Sequence, residues 1–417
     1  MTRELLRQVR LLDPLSNTDR QADVLIEDGM IRAIESYLDG VDAAVLDCTD
    51  MVLGPGLVDL YSHSGEPGFE ERETLESLQA AAAAGGFTRL TLLPGTHPAI
   101  DQPASVAWLR SRQISAMPQL NCWGALTIGT KGEQMVELGE LAATEIVGFA
   151  DGQPLQNSAL LRRSLEYGQA LGKPLAFWCS DRSLSGNGVV REGSEALRLG
   201  LPGVPAMAET ASLAALLEYV AEIGTPVHLM RVSTSRSIEL IRAAKSCGVP
   251  ITASTTWIHL LLDITAIQTA YDPSLHLEPP LGNLVDRKAL IEAFQTGVLD
   301  AISIDHSPYT YEEKTVAFAE SPPGAIGLEL ALPLLWQTFV EPGIWSALDL
   351  WRFLSTQPAQ CLQQKAATVA VGAAAELTLF APHQTWRVEP QTLKSRSSNT
   401  SWLGQEIQGQ VVKTWAV

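Results

Sequence analysis

From about residue 54 to about residue 364 the chain repeats one unit: a short apolar run, a loop, then a longer stretch with apolar residues at helical spacing. The runs are GLVDL at 56–60, TRLTLLPG at 88–95, QLNCWGAL at 119–126, TEIVGFADG at 144–152, KPLAFWCSD at 173–181, TPVHLMRVS at 225–233, VPITASTTW at 249–257 and LDAISIDHSP at 299–308. Between them lie stretches such as SALLRRSLEYGQALG, ASLAALLEYVAEIG and RSIELIRAAKSCG, each closed by a glycine, the residue best suited to end a helix. Eight strands alternating with helices predict an α/β chain whose centre is a (β/α)8 TIM barrel rather than a doubly wound sheet. No GxGxxG follows any of the runs, which disfavours a dinucleotide fold.

The flanks follow another rule. ADVLIEDGMIRAIES at 22–36 reads as two strands joined at Asp28-Gly29, a hairpin signal. After about residue 365 the strand pattern returns in AELTLFAP, TWRVEP and IQGQVVKTWAV. Residues 1–53 and 365–417 are therefore expected to pair into one small composite β-sandwich beside the barrel of residues 54–364.

Composition narrows the function classes. The 29 Lys and Arg against 47 Asp and Glu leave a formal charge of −18, which repels a phosphate backbone, and no basic run offsets it, so nucleic acid is set aside. The five cysteines, an odd number with no CxxC pair, suit a reducing compartment and read as small buried apolar residues. MTRELLRQVRLLDP has no apolar leader core and no segment reaches membrane-spanning length, so a cytoplasmic protein without a membrane partner is expected.

In a (β/α)8 barrel, chemistry sits just past the C-terminal ends of the strands. The residues there are Tyr61 and His63, Gly95 and His97, Asp151, Trp178 to Asp181, Arg231, Ser254, and Asp305 with His306. A hydrolytic metal centre needs imidazoles and carboxylates that give lone pairs to the ion and leave a position for water. Only His63, Asp151 and Asp305 meet that description. Each also has a plainer reading: hydrogen bonding inside the barrel mouth for His63 and Asp305, a turn for Asp151 before Gly152. His97, His228, His259, His276, His306 and His383 have no mutual spacing that requires a metal and read as structural or surface residues.

One long stretch, LGPGLVDLYSHSGEPGFEERETLESLQAAAAAGGFTRLTLLPGTHPAIDQP, resembles the N-terminal barrel signature of bacterial class I dihydroorotase, of the cyclic amidohydrolase superfamily. Further stretches resemble it in order along nearly the whole chain, among them FADGQPLQNSALLRRSLEYGQALGKPL, GVVREGSEALRLGLPGVPAMAE, RVSTSRSIELIRAAKSCGVPITAS, IDHSPYTYEEK and SNTSWLGQEIQGQVVKTW. The resemblance implies a TIM-barrel amidohydrolase with a composite β-sandwich. For active members it implies zinc-dependent, reversible closure of carbamoyl aspartate to dihydroorotate.

Carried over position by position, that machinery is incomplete. The family's His-x-His falls on Tyr61 and His63, and its Asp-Asp-Gly ligand loop on Asp151-Gly152. Its His-Cys-Glu-Asp falls on Trp178-Cys179-Ser180-Asp181, where an indole has no lone pair for a metal, and its later histidine falls on Arg231, a fixed positive charge. The lysine with which sister enzymes bridge two metals has no counterpart between Thr144 and Arg162. Asp305, the family's general-base position, is kept. The substrate-binding arginines fall on Gly65 and Gly282, the asparagines on Gly95 and Glu278, and a histidine on Tyr309, which removes the clamps of a dicarboxylate substrate and leaves Glu278 to repel it.

The sequence thus predicts a preserved fold and a dismantled mechanism, with no resident cofactor. By the resemblance, such a homologue is an oligomeric structural or regulatory partner of aspartate carbamoyltransferase. Arg231 is expected to pair with Asp305 or Asp151 where zinc would sit, and Trp178 to fill the vacated volume. The competing expectations are a single-zinc cyclic amidohydrolase on His63, Asp151 and Asp305, and a protein that binds a small molecule without turning it over.

Overall fold

The structure is a computed structural model that describes residues 3–39 and 42–416; residues 1, 2 and 417, at the tips of the two end segments, and residues 40–41 lie outside the described residues. The chain opens with β1 (Arg3–Asp13), β2 (Thr18–Glu27), β3 (Met30–Glu35), β4 (Ala44–Asp47) and β5 (Val52–Pro55). Asp28 and Gly29 join β2 to β3 with φ of 48° and 73°, the left-handed pair that matches a tight turn to the twist of its strands.

The eight apolar runs follow. They are β6 (Leu57–Val58), β7 (Phe87–Leu92), β8 (Gln119–Gly124), β9 (Gly148–Phe149) and β10 (Leu175–Trp178), then, after a small parallel pair, β11 (Val190–Arg191) and β12 (Gly203–Val204), come β13 (Val227–Met230), β14 (Ile251–Thr256) and β15 (Ala301–Ser303). Apart from β11 and β12 they form one parallel sheet in sequence order. Its edges meet, because the Asp305 N–H donates to Tyr61 O at 3.1 Å and the His63 N–H to His306 O at 2.8 Å. This is the (β/α)8 barrel that the eightfold alternation predicts.

Helix ends are set by capping. Thr74 caps Leu75–Ala84 and Ser77 returns the bond, while Asn157 caps Ser158–Leu171, which ends on a left-handed Gly172. Inside the barrel Leu60, Tyr61, Trp123, Trp178 and Met230 are interleaved with Ala150, Ala176 and Ala301, so large and small side chains together fill a small barrel without leaving a pore.

The chain ends in β16 (Leu377–Arg387) and β17 (Glu406–Trp415), which join the first five strands in one seven-stranded sheet, ordered β17-β16-β5-β1-β2-β3 with β4 beside β1. The runs AELTLFAP and TWRVEP are thus parts of a single strand, irregular in register between Ala381 and Thr385. Polar contacts hold this sheet to the barrel: Arg89 donates to both oxygens of Glu376 at 2.7 and 2.8 Å, and Trp351 Nε1 to Pro55 O at 3.1 Å. The segment after β16 returns to the barrel mouth, where the Asn399 amide donates to Ser307 O at 2.9 Å and Gly324 O at 3.2 Å. No helix among the described residues is long and apolar enough to cross a membrane.

Candidate functional site

β6, β13 and β15 deliver His63, Arg231 and Asp305 to one point of the rim. Arg231 and Asp305 follow their strands with φ of 55° and 54°, left-handed conformations that cost a non-glycine residue on the order of 1 kcal/mol and persist where the surroundings hold them. The holding contact is mutual. Arg231 Nε donates to Asp305 Oδ2 at 2.8 Å and Nη2 to Oδ1 at 2.6 Å, the two-pronged geometry that suits a guanidinium and a carboxylate. Nη2 also lies 3.1 Å from His63 Nε2, and Nη1 donates to Gly152 O at 3.1 Å.

These contacts fix the protons. A guanidinium has no lone pair, so His63 Nε2 must be the acceptor, and the imidazole is neutral with its proton on Nδ1. Burial pushes the His63 pKa down to about 4, with Asp305 pulling the other way and Arg231 adding to the fall. For Arg231 burial works against the charge, and Asp305 outweighs it, leaving the guanidinium protonated. The Arg231 Cζ also sits 4.8 Å from the Trp178 ring centroid, so the indole provides an aromatic surface for the cation.

Tyr61 does not approach this cluster as a ligand. Its hydroxyl accepts from the Arg231 backbone N–H at 3.0 Å and hydrogen-bonds Ser254 at 3.0 Å and Ser303 at 2.8 Å. Ser254 continues to His228 Nε2 at 2.9 Å, and His228 Nδ1 to Thr252 at 2.9 Å. The phenol therefore anchors a buried hydroxyl and imidazole chain across the barrel interior. Burial pushes the His228 pKa down to about 3, which keeps that chain neutral.

Asp151 is not brought to the cluster. One of its oxygens accepts from the backbone N–H groups of Leu126 and Thr127 at 2.8 and 3.0 Å, and the other from the Thr127 hydroxyl at 2.6 Å. Burial raises its pKa and these three bonds oppose the rise. The set His63, Asp151 and Asp305 therefore does not assemble, and among the described residues no three His, Cys, Asp or Glu side chains come together to hold a metal ion. A divalent ion does not fit the residues that do meet. His63 Nε2 already accepts from Arg231, each Asp305 oxygen already accepts one bond from it, and its charge would repel the ion.

Above the cluster lies a cavity of about 90 Å³ lined by His63, Arg231, Asp305, His259, Glu278 and Tyr309, among others. Here one expectation is corrected: Glu278 is not left to act alone, because Arg182 donates to its two oxygens at 2.8 and 3.3 Å. Gly65 and Gly282 are closed to longer side chains as well. A Cβ at Gly65 would lie 2.4 Å from Glu73 O, and one at Gly282 would lie 2.7 Å from Asp286 Cβ, so neighbouring backbone and side chain occupy the space a longer residue would need.

Sequence reasoning missed the Tyr61, Ser254, Ser303 and His228 chain and the Arg182–Glu278 pair. The first had a signal, since polar residues interrupt the apolar runs VPITASTTW and TPVHLMRVS at inward positions. The second joins residues far apart in the sequence through two rim loops and had none.

A family model described as dihydro-orotase-like matches residues 50–237. A protein of Synechocystis sp. described as "Probable dihydroorotase-like protein" is 45% identical, covering 97% of this chain and 98% of its own length. The dihydroorotase of Pelotomaculum thermopropionicum is 36% identical, covering 97% of this chain and 95% of its own. Among solved structures, the L-hydantoinase of Arthrobacter aurescens superposes with a TM-score of 0.85 at 20% identity, covering 100% of this chain and 97% of its own. The dihydropyrimidinase of Brevibacillus agri superposes with a TM-score of 0.84 at 21% identity, covering 100% and 94%.

Proposed function

The chain belongs to the dihydroorotase-like family of cyclic amidohydrolases, and from that premise we propose that it has kept the family's barrel and given up the ring chemistry. One observation carries this reading: Arg231 binds Asp305 through two nitrogens and His63 through one of them. Amide hydrolysis in this family's manner needs a metal to generate hydroxide near neutral pH and to polarise the carbonyl. Here the ligands are spent on an internal cation. Asp305 as a lone base would contribute only about 10²- to 10⁴-fold, and both its oxygens are already paired with Arg231. The closed space at Gly65 and Gly282 supports the same reading, because it leaves no room for the arginines of a dicarboxylate site.

What remains is a cytoplasmic scaffold, a structural or regulatory partner of aspartate carbamoyltransferase in an oligomeric assembly, as the family resemblance implies. The test is elemental analysis of the purified protein after incubation with zinc and dialysis, with dihydroorotase turnover assayed on the same sample. We expect far less than one equivalent of zinc and no turnover. A full equivalent with turnover would overturn the reading and restore a single-metal amidohydrolase using His63, Asp151 and Asp305. Co-elution with aspartate carbamoyltransferase on gel filtration tests the partner, and two separate peaks at micromolar concentrations would refute it.

A further inference from the structure

A second hollow opens at the same rim, between the loop after β6 and the loop and helix after β7. Its volume is about 280 Å³, and Pro67, Leu92, Pro98, Ile100, Trp108 and Leu109 supply most of its wall. It shares no lining residue with the cavity above Arg231. Four polar side chains line it, Glu66, Thr96, Gln102 and Ser105, and two of them are spent within the protein. Thr96 Oγ1 donates to Pro98 O at 2.8 Å and Ser105 Oγ to Ala99 O at 3.0 Å, both within the loop and helix that form one wall.

Glu66 is different. Its Oε2 accepts from the Leu75 N–H at 2.9 Å, at the start of helix Leu75–Ala84, which fixes the carboxylate in place. Its Oε1 has no hydrogen bond to any described residue. Glu66 is also the one charged residue lining the hollow, since Arg112 packs over the Trp108 ring at 5.1 Å without lining it. An apolar wall with a single fixed, half-satisfied carboxylate defines the complement it lacks: an apolar body with a positive donor at one end.

We propose that this hollow binds a small organic ammonium ion, its N–H groups on Glu66 Oε1 and its apolar body against Trp108, Pro67 and Pro98. The volume lies just under the ~300 Å³ at which ordinary ligand pockets begin, so the body is about one ring with a short chain. The wall gains by burying that ring against Trp108 and the prolines. A neutral ligand of the same shape would strip water from Glu66 and leave it unpaired, and an anion would be repelled. The net charge of −18 adds a long-range preference for cations.

The experiment is calorimetric titration of the intact chain with phenethylammonium, 2-phenylethanol and phenylacetate. Phenethylammonium should bind, and the neutral and anionic analogues should bind at least about tenfold more weakly. Glu66→Gln keeps an oxygen for the Leu75 N–H and removes the charge, and it should cost about tenfold in phenethylammonium affinity. Ala104→Phe, at an exposed position of the lining, should fill the hollow and abolish binding. Absence of binding at millimolar phenethylammonium, equal affinity for phenylacetate, or undiminished binding by Glu66→Gln would each overturn the proposal. None of these outcomes depends on zinc or on turnover.

Discussion

Two hollows on one barrel rim are built on opposite plans. Around Arg231 the charges answer one another: guanidinium to Asp305, to His63 and to Gly152 O, with Glu278 held by Arg182 on the rim above. Beside Trp108 a single carboxylate stands in an apolar wall, one of its oxygens without a bond to any described residue. The first hollow pairs its charged groups with one another, and the second leaves one oxygen of its carboxylate without a bond to any described residue. A depression at a barrel rim is thus no measure of binding capacity, which depends on polar groups the chain has not already satisfied.

The largest expected effect comes from breaking the first plan. Arg231→Ala leaves Asp305 partly buried without its cation, and loss of one member of such a pair costs about 3–5 kcal/mol. It should appear as a lower urea midpoint at unchanged slope. Arg231→Met combined with Asp305→Asn removes both charges and should recover most of the loss. If Arg231→Ala unfolds at the wild-type midpoint, the charges at this rim are not holding one another and the contrast between the hollows disappears.

Acid sharpens the same contrast. His228 and His259 are buried, and burial pushes their pKa values down to about 3 and about 4. A histidine with a depressed folded pKa binds fewer protons folded than unfolded between that value and its unfolded pKa near 6.5. Their contribution to stability is therefore complete above about pH 6.5 and is lost as the pH falls toward 4, on the order of 1 kcal/mol per pH unit for each. Urea midpoints at stepped pH should fall across that window, and His228→Gln should make the slope shallower. An unchanged slope in that variant would mean that burial does not hold His228 neutral.

A smaller loss is expected at Tyr61→Phe. The ring stays and the hydroxyl goes, leaving the Arg231 N–H, Ser254 and Ser303 short of one partner each, for about 1–3 kcal/mol. Differential scanning calorimetry would read it, and a variant as stable as the parent would show that water takes the hydroxyl's place.

The fold was more legible than the site, for a physical reason. Strand and helix periods repeat along the chain, so the eight runs announced their strands, and Asp28-Gly29 announced its turn by the φ values it must take. His63, Arg231 and Asp305 could be placed at one rim because barrel strands all end on the same face. The orientation of each side chain had no such signal. Asp151 turned to Leu126 and Thr127 because the loop after β8 offers three donors there, and irregular loops leave no period in a sequence. The hollow at Glu66 is invisible for the same reason, since its walls come from two loops, one helix and the end of β7, which meet only in the fold.

The smallest stability effect is expected at Glu66→Gln, and it bears on the comparison most directly. Stability at this position rests on one hydrogen bond, from the Leu75 N–H to Oε2, and a glutamine oxygen can accept it equally well. The change should therefore move the urea midpoint by no more than about 0.5 kcal/mol. Glu66→Ala removes the acceptor and should cost roughly 0.5–1.5 kcal/mol. At the Arg231 cluster a change of charge is a change of stability, because every charge is already answered within the chain. At Glu66 charge and stability separate: the oxygen that caps the helix is structural, and the charge on the carboxylate is left for a ligand. A Glu66→Gln variant destabilised as strongly as Arg231→Ala would show that an internal cation compensates Glu66 after all, and the two hollows would then follow one plan.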